Sequence, residues 1–172
     1  YRAMMEEEDG RLSFPVSTSP EFDSSGGWGR DASFQLAACH RLVRDLIKAA
    51  EMLGDKPDPM WLDVKNRLPL ASFAGGQPGG EIELWRGLTL PESHRHHSHL
   101  AGYVPFDVWD YDDKLIRRST AKTVRTWQRE GMGLWSGWAM PWAAMLQTHW
   151  GNADAADMTL RIWERMFTNP GH

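Results

Sequence analysis

Seven consecutive residues, His94-Arg95-His96-His97-Ser98-His99-Leu100, hold four of the chain's seven histidines. An apolar run from Leu100 to Phe106 follows at once. In an extended backbone side chains alternate between faces, so His94, His96 and Ser98 would share one side and Arg95, His97 and His99 the other. In a helix His96 and His99 would instead be neighbours. Imidazoles crowded beside an apolar segment need partners, because a buried polar group without a hydrogen bond is costly. Three arrangements supply them: a hydrogen-bonded structural knot, a metal site, or recognition of a polar, hydroxyl-rich ligand by Arg and His donors. No cysteine, second histidine pair or well-spaced carboxylate accompanies the cluster, which weighs against a metal. Spacing by itself leaves all three open.

A second candidate lies near the start. Arg11 to Glu21 carries two prolines among small polar residues, which predicts an extended loop. Glu21 ends that stiff run, and Asp23-Ser24-Ser25-Gly26-Gly27 after it reads as flexible. A carboxylic acid on a rigid loop beside Trp28 has the placement of a general acid; a solvated surface glutamate is the plain alternative. Ten tryptophans stand against three tyrosines. Most should pack in the core, but indole rings also stack on the C–H faces of sugars, which makes Trp28 and Trp85 candidates.

Helices must position these groups. Asp31 to Leu53 has Ala32, Leu36, Cys39, Val43, Leu46, Ala50 and Leu53 at three-four spacing, with Asp31 as the expected N-cap and Gly54 as the stop. His40 reads as a satisfied residue at the edge of that stripe, and Cys39 as a small buried one. Asp58-Pro59 predicts a second helix start, with Trp61, Val64 and Leu68 inward. A third helix is expected over Asp112 to Arg129 with Leu115, Ile116, Val124 and Trp127 buried, a fourth capped by Ser136 and bearing Trp138, Trp142, Met145, Leu146 and Trp150, with Pro141 imposing a kink or a later start, and a fifth from Ala153 to Phe167. Between them, Gly75 to Gly80 reads as a turn and the alternating Glu81 to Trp85 as a short strand. Short Gly-bearing joins predict antiparallel neighbours. The acidic run Glu6 to Asp9 reads as a solvated end or turn.

The 172 residues suffice for one core, and the net charge of −4 gives no basic footprint for nucleic acid. No apolar run reaches the length of a membrane helix. A single cysteine, Cys39, excludes an internal disulfide. The glycine pairs lack a phosphate-loop Lys-Ser/Thr and dinucleotide spacing, so nucleotide binding is rejected. No cofactor or metal is called for.

Five blocks in order resemble the catalytic domain of glycoside hydrolase family 95, the inverting α-L-fucosidases and their relatives. They are Ser19-Pro20-Glu21, the helix opened by Asp31, the Gly-rich turn leading to Ile82 and Trp85, the histidine segment, and Glu130-Gly131-Met132-Gly133-Leu134-Trp135-Ser136-Gly137-Trp138. The resemblance implies an all-α fold that is part of an (α/α)6 toroid, with an extended insertion or short β-hairpin around 71–106. It makes 1–172 a single partial domain, with a loop over 1–30 carrying Ser-Pro-Glu. It implies inverting exo-hydrolysis of terminal α-L-fucose or galactose-like residues from glycans. Glu21 takes the place of the general acid, Glu130 loosely that of an acidic turn residue, and Arg95, His96 and His99 those of sugar contacts. In the family an asparagine activates water, polarised by another Asn and an acidic residue; the paired asparagines precede Ser-Pro-Glu and are expected outside this chain. The family glutamate before the strand tryptophan is Leu84 here, with Glu83 one place earlier. The chain is expected to belong to a larger protein or to pair with a missing portion, and the resemblance favours a secreted or periplasmic setting. A non-catalytic carbohydrate binder and a metal-binding helical domain are the alternatives.

Overall fold

The computed structural model describes residues 2–22 and 26–169. Asp23, Ser24 and Ser25, expected as flexible, lie outside them. Five helices dominate: α1 (Ser33–Leu53), α2 (Pro59–Arg67), α3 (Lys114–Glu130), α4 (Ala139–His149) and α5 (Ala153–Met166). The one sheet among the described residues is a two-stranded antiparallel hairpin, β1 (Glu6–Glu8) and β2 (Arg11–Ser13), with Glu7 opposite Leu12. The fold is therefore mostly helical, as expected. The acidic run is solvated and turns at Asp9–Gly10, as expected, but Glu6–Glu8 is also a strand whose side chains reach partners: Glu6 and Glu8 reach Arg30, Glu8 reaches Arg86 and Glu7 reaches Arg67.

Sequential helices pack in pairs, α1 on α2 and α4 on α5. In α1 the buried stripe is Leu36, Cys39, His40, Val43, Ile47 and Ala50. Ile47 replaces the expected Leu46, and Leu53 is exposed, because the helix outruns its partner before Gly54 stops it in the left-handed region at φ 78°. The His40 Nε2–H is shared between the carbonyls of Leu68 (3.1 Å) and Pro69 (3.0 Å), which ties α1 to the end of α2. Burial lowers its pKa against the pull of those two carbonyls. Asp58 caps α2 by accepting from the Met60 N–H at 2.8 Å, with Pro59 at the first position.

Asp113, one residue past the expected start, caps α3 by accepting from the N–H groups of Leu115 and Ile116. Leu115 faces solvent, whereas Ser119, Thr120 and Thr123 are buried with Ile116 and Trp127. The hydroxyls hold the long insertion: Ser119 Oγ accepts from the Gly79 N–H and Thr123 Oγ1 from the Ile82 N–H. The expected strand over 81–85 is reduced to isolated bridges, Phe73 with Ile82 and Trp85 with Leu88. Residues 82–85 are buried on both sides, so alternation in sequence does not become alternation in exposure. Ser136 does not cap α4: the helix begins at Ala139, which puts Pro141 in the first turn, where its missing N–H is not needed.

Asp31 is not the cap of α1 either. It sits at φ 53° with its carboxylate buried, accepting from Ser13 Oγ (2.9 Å), the Phe14 N–H (2.7 Å) and the Arg86 guanidinium. Asp31 thus welds the first loop, the helix start and the insertion together. Two cores result. One gathers Phe22, Ile82, Leu84, Trp85, Leu100, Tyr103, Trp109 and Trp127; the other joins Leu12 and Phe14 to α1 and α2.

Candidate active site

The loop bearing Glu21 is closed at its base. Ser17 and Gly29 exchange backbone hydrogen bonds at 2.8 and 2.9 Å, and Ser17 Oγ accepts from the Ala32 N–H. At its tip the Ser19 carbonyl accepts from the Phe22 N–H at 3.4 Å, with Pro20 and Glu21 central. Proline pre-sets the first central position of such a turn, and the second takes a positive φ, usually on glycine. Here Glu21 holds it at φ 58°. A left-handed non-glycine residue costs about 1–2 kcal/mol, so surrounding contacts must hold it.

Those contacts come from the histidine segment. Arg95 donates to Glu21 Oε2, and His96 Nε2–H donates to the same oxygen at 3.0 Å. The Glu21 main-chain carbonyl accepts from His94 Nε2–H at 3.1 Å, and the Phe22 ring stacks on His94 with centroids 3.8 Å apart. Beneath, the Ser19 and Ser98 hydroxyls meet at 2.5 Å. The segment is neither extended nor helical from 94 to 97; Arg95 and His96 turn to the same carboxylate instead of to opposite faces.

Desolvation by the loop acts upward on the Glu21 carboxyl, but the hydrogen bonds and charges of Arg95 and His96 together outweigh it, and its pKa lies below the usual value. Burial lowers the pKa of His96, opposed by its bond to Glu21. Near neutral pH the pair is thus carboxylate and neutral imidazole. A cavity of about 280 Å³ opens over this corner, lined by Thr18, Ser19, Glu21, Phe22, Gly26, Gly27 and Trp28. Trp28 is 68% exposed beside it. A larger cavity, about 480 Å³, lies away from Glu21. Arg86 in its lining bonds both Glu8 and Asp31, and Asp9 and Arg11 line it as well.

The structure brings Glu21, Arg95, His96 and Trp28 together. It does not bring Trp85 or His99. Trp85 is 6% exposed in the core, with its indole against the Gly29 backbone, so no ring face is left for a sugar. His99 is fully buried in the turn Ser98–Leu100, its ring nitrogens without hydrogen-bond partners among the described residues; neither residue is a sugar contact in this geometry. Glu130 ends α3 and bonds the adjacent Arg129 at 3.0 Å. The turn after it is stapled to the residue before His94: Ser93 Oγ–H donates to the Gly131 carbonyl and accepts from the Leu134 N–H. Glu83, 6% exposed, accepts from the Gly87 N–H inside its own turn, and burial raises its pKa.

Two residues escaped the reading of the sequence. His94 looked like one histidine among four, and only its bonds to Glu21 and His96 mark it. Trp138, expected on the fourth helix, lies just before α4, 47% exposed, edge-on to His96 at 4.6 Å and stacked on Trp142. Elsewhere the histidines face different partners. His97 Nε2–H donates to the Ala139 carbonyl at 3.0 Å while its Nδ1 accepts from the Trp127 indole N–H. Among the described residues no group of three or more His, Cys, Asp or Glu side chains converges to hold a metal ion, and no helix is long and apolar enough to cross a membrane.

Comparison with known proteins gives the same direction. A protein of Aspergillus oryzae named "Probable alpha-fucosidase A" is 28% identical over 138 residues, which cover 72% of this chain and 18% of that protein. The chain thus spans under a fifth of the length of the curated relative it matches. The description "Glycosyl hydrolase family 95 catalytic domain" matches residues 1–170, and the chain belongs to that family.

Proposed function

We propose that this chain builds the acid side of an inverting exo-glycosidase site that removes terminal α-L-fucose or galactose-like residues from glycans. The observation that carries the reading is the Glu21 carboxylate, held in a strained turn at the rim of a cavity with Arg95 and His96 on one of its oxygens. Glu21 donates the proton to the leaving oxygen. Arg95 and His96 take sugar hydroxyls, and Trp28 packs on a sugar face. The relative's printed name favours fucose among the candidate sugars.

A proton donor must be protonated when it acts. Desolvation acts upward on the Glu21 carboxyl, but Arg95 and His96 hold its pKa below the usual value. Sugar binding tips that balance: hydroxyls draw the two donors away from Oε2, and the ring displaces water. Each change moves the carboxyl upward. The water attacks from the opposite face, across a gap of about 6.5–9.5 Å, activated by an asparagine expected outside this chain. Glu130 is the candidate for the acid that polarises that base, because its turn is stapled beside the histidine segment. The pairs α1–α2 and α4–α5 fit helical hairpins of an (α/α)6 toroid.

The test uses the intact protein with two substrates, an alkyl glycoside and the corresponding glycosyl fluoride, whose leaving group departs without a proton. Glu21→Gln should abolish hydrolysis of the alkyl glycoside while retaining much of that of the fluoride. Undiminished alkyl glycoside hydrolysis in Glu21→Gln would refute the role.

A further inference from the structure

We infer that His94 is the positioning residue of this site: one imidazole sets both the backbone of the acid and the backbone of the histidine that bonds it. The inference rests on Glu21 being the acid. The bonding pattern assigns the ring proton. His94 Nδ1 accepts from the His96 N–H at 3.0 Å, so the proton lies on Nε2, which donates to the Glu21 carbonyl at 3.1 Å. The ring is held flat against Phe22, interplanar angle 23°, and is nearly buried. His94 makes no bond to the carboxylate and does not itself line the cavity, so it acts through Glu21 and His96.

Its two bonds do different things. The bond to the His96 N–H spans two residues and fixes a local turn, as an Asx side chain does. The bond to the Glu21 carbonyl spans seventy-three positions and holds the left-handed acid, which would otherwise relax toward an ordinary backbone conformation. Without it the carboxyl loses its fixed distance from the leaving oxygen, and a misplacement of about 1 Å costs roughly 10²-fold in rate.

Three variants separate these roles in the intact protein. His94→Leu removes both bonds, His94→Asn keeps a short acceptor for the His96 N–H, and His94→Gln keeps a donor with the reach of Nε2. On the alkyl glycoside kcat should fall roughly 10²-fold for Leu with KM little moved, fall nearly as far for Asn, and recover substantially for Gln. On the fluoride the losses should be far smaller, because no proton is needed. Equal losses on both substrates, or an Asn variant as active as Gln, would overturn the inference; if Leu does not fold, the Asn and Gln pair decides it. Glu21→Gln run alongside separates the two failures: alkyl glycoside hydrolysis persisting there sinks the acid assignment itself, whereas its loss with unselective His94 variants sinks only the positioning role.

Discussion

The hydroxyl oxygens of Ser19 and Ser98, seventy-nine positions apart in the chain, meet at 2.5 Å in the interior. This bond joins the Ser-Pro-Glu turn to the histidine segment directly below the Glu21 carboxylate. Neither residue faces solvent, so neither hydroxyl has water as a substitute partner.

Removing one of the two hydroxyls therefore leaves the other unpaired. Ser19→Ala and Ser98→Ala should each destabilise by about 1–3 kcal/mol, and the double variant by clearly less than the sum. A denaturant double-mutant cycle measures the coupling; simple additivity would contradict the contact.

The two pH profiles of hydrolysis should differ. Activity requires protonated Glu21, so it is lost as pH rises through that group's pKa. In the free protein desolvation acts upward, but Arg95 and His96 prevail and hold the pKa low; with sugar bound it rises. The basic limb of kcat should consequently lie at higher pH than that of kcat/KM, since the first reports the complex and the second the free protein. Coincident limbs would contradict the release of Glu21 from Arg95 and His96.

Stability should fall on mild acidification. Burial holds His97 down to about 4, with the Ala139 carbonyl opposing and His96 and His94 adding to it. Burial, then His97 and His94, hold His99 down to about 3. An unfolded histidine titrates near 6.5, so between that pH and about 4 the unfolded chain binds protons that the folded chain refuses. The contribution is complete above about 6.5 and is lost as pH falls, on the order of 3 kcal/mol for His97. Urea midpoints at pH 7 and pH 5 check it; a midpoint unchanged or higher at pH 5 would count against burial of neutral rings.

Gly29→Ala should disturb the site from outside it. A Cβ at Gly29 would overlap the Trp85 indole, which is itself locked in the core. Overpacking of this kind costs about 1–3 kcal/mol. Because Gly29 pairs with Ser17 at the base of the Glu21 loop, the variant should also lower activity on the alkyl glycoside. A lowered melting temperature with full activity would mean the loop tolerates the shift.

Sequence-local signals carried the helices well. Asp58-Pro59 starts α2, Gly54 ends α1 and Gly151-Asn152 separates α4 from α5, because caps and breakers act within one turn of the chain. Such signals misled where a residue had a distant partner. Asp31 looked like a cap but is claimed by Ser13, Phe14 and Arg86. Ser136 had the right type for a cap and lies outside α4. The alternation over 81–85 belongs to a segment covered on both faces by the core and α3.

By itself the sequence determined the helical class, most helix limits and the likeness to family 95, since these rest on residue types in fixed order. Only the tertiary structure decided which rings are available. Trp85 and His99 went into the interior, while Trp138 and Trp28 kept exposed faces and His94 acquired its bond to the Glu21 carbonyl. Burial and long-range hydrogen bonds depend on which segments meet in space, and that meeting leaves no local pattern in the chain.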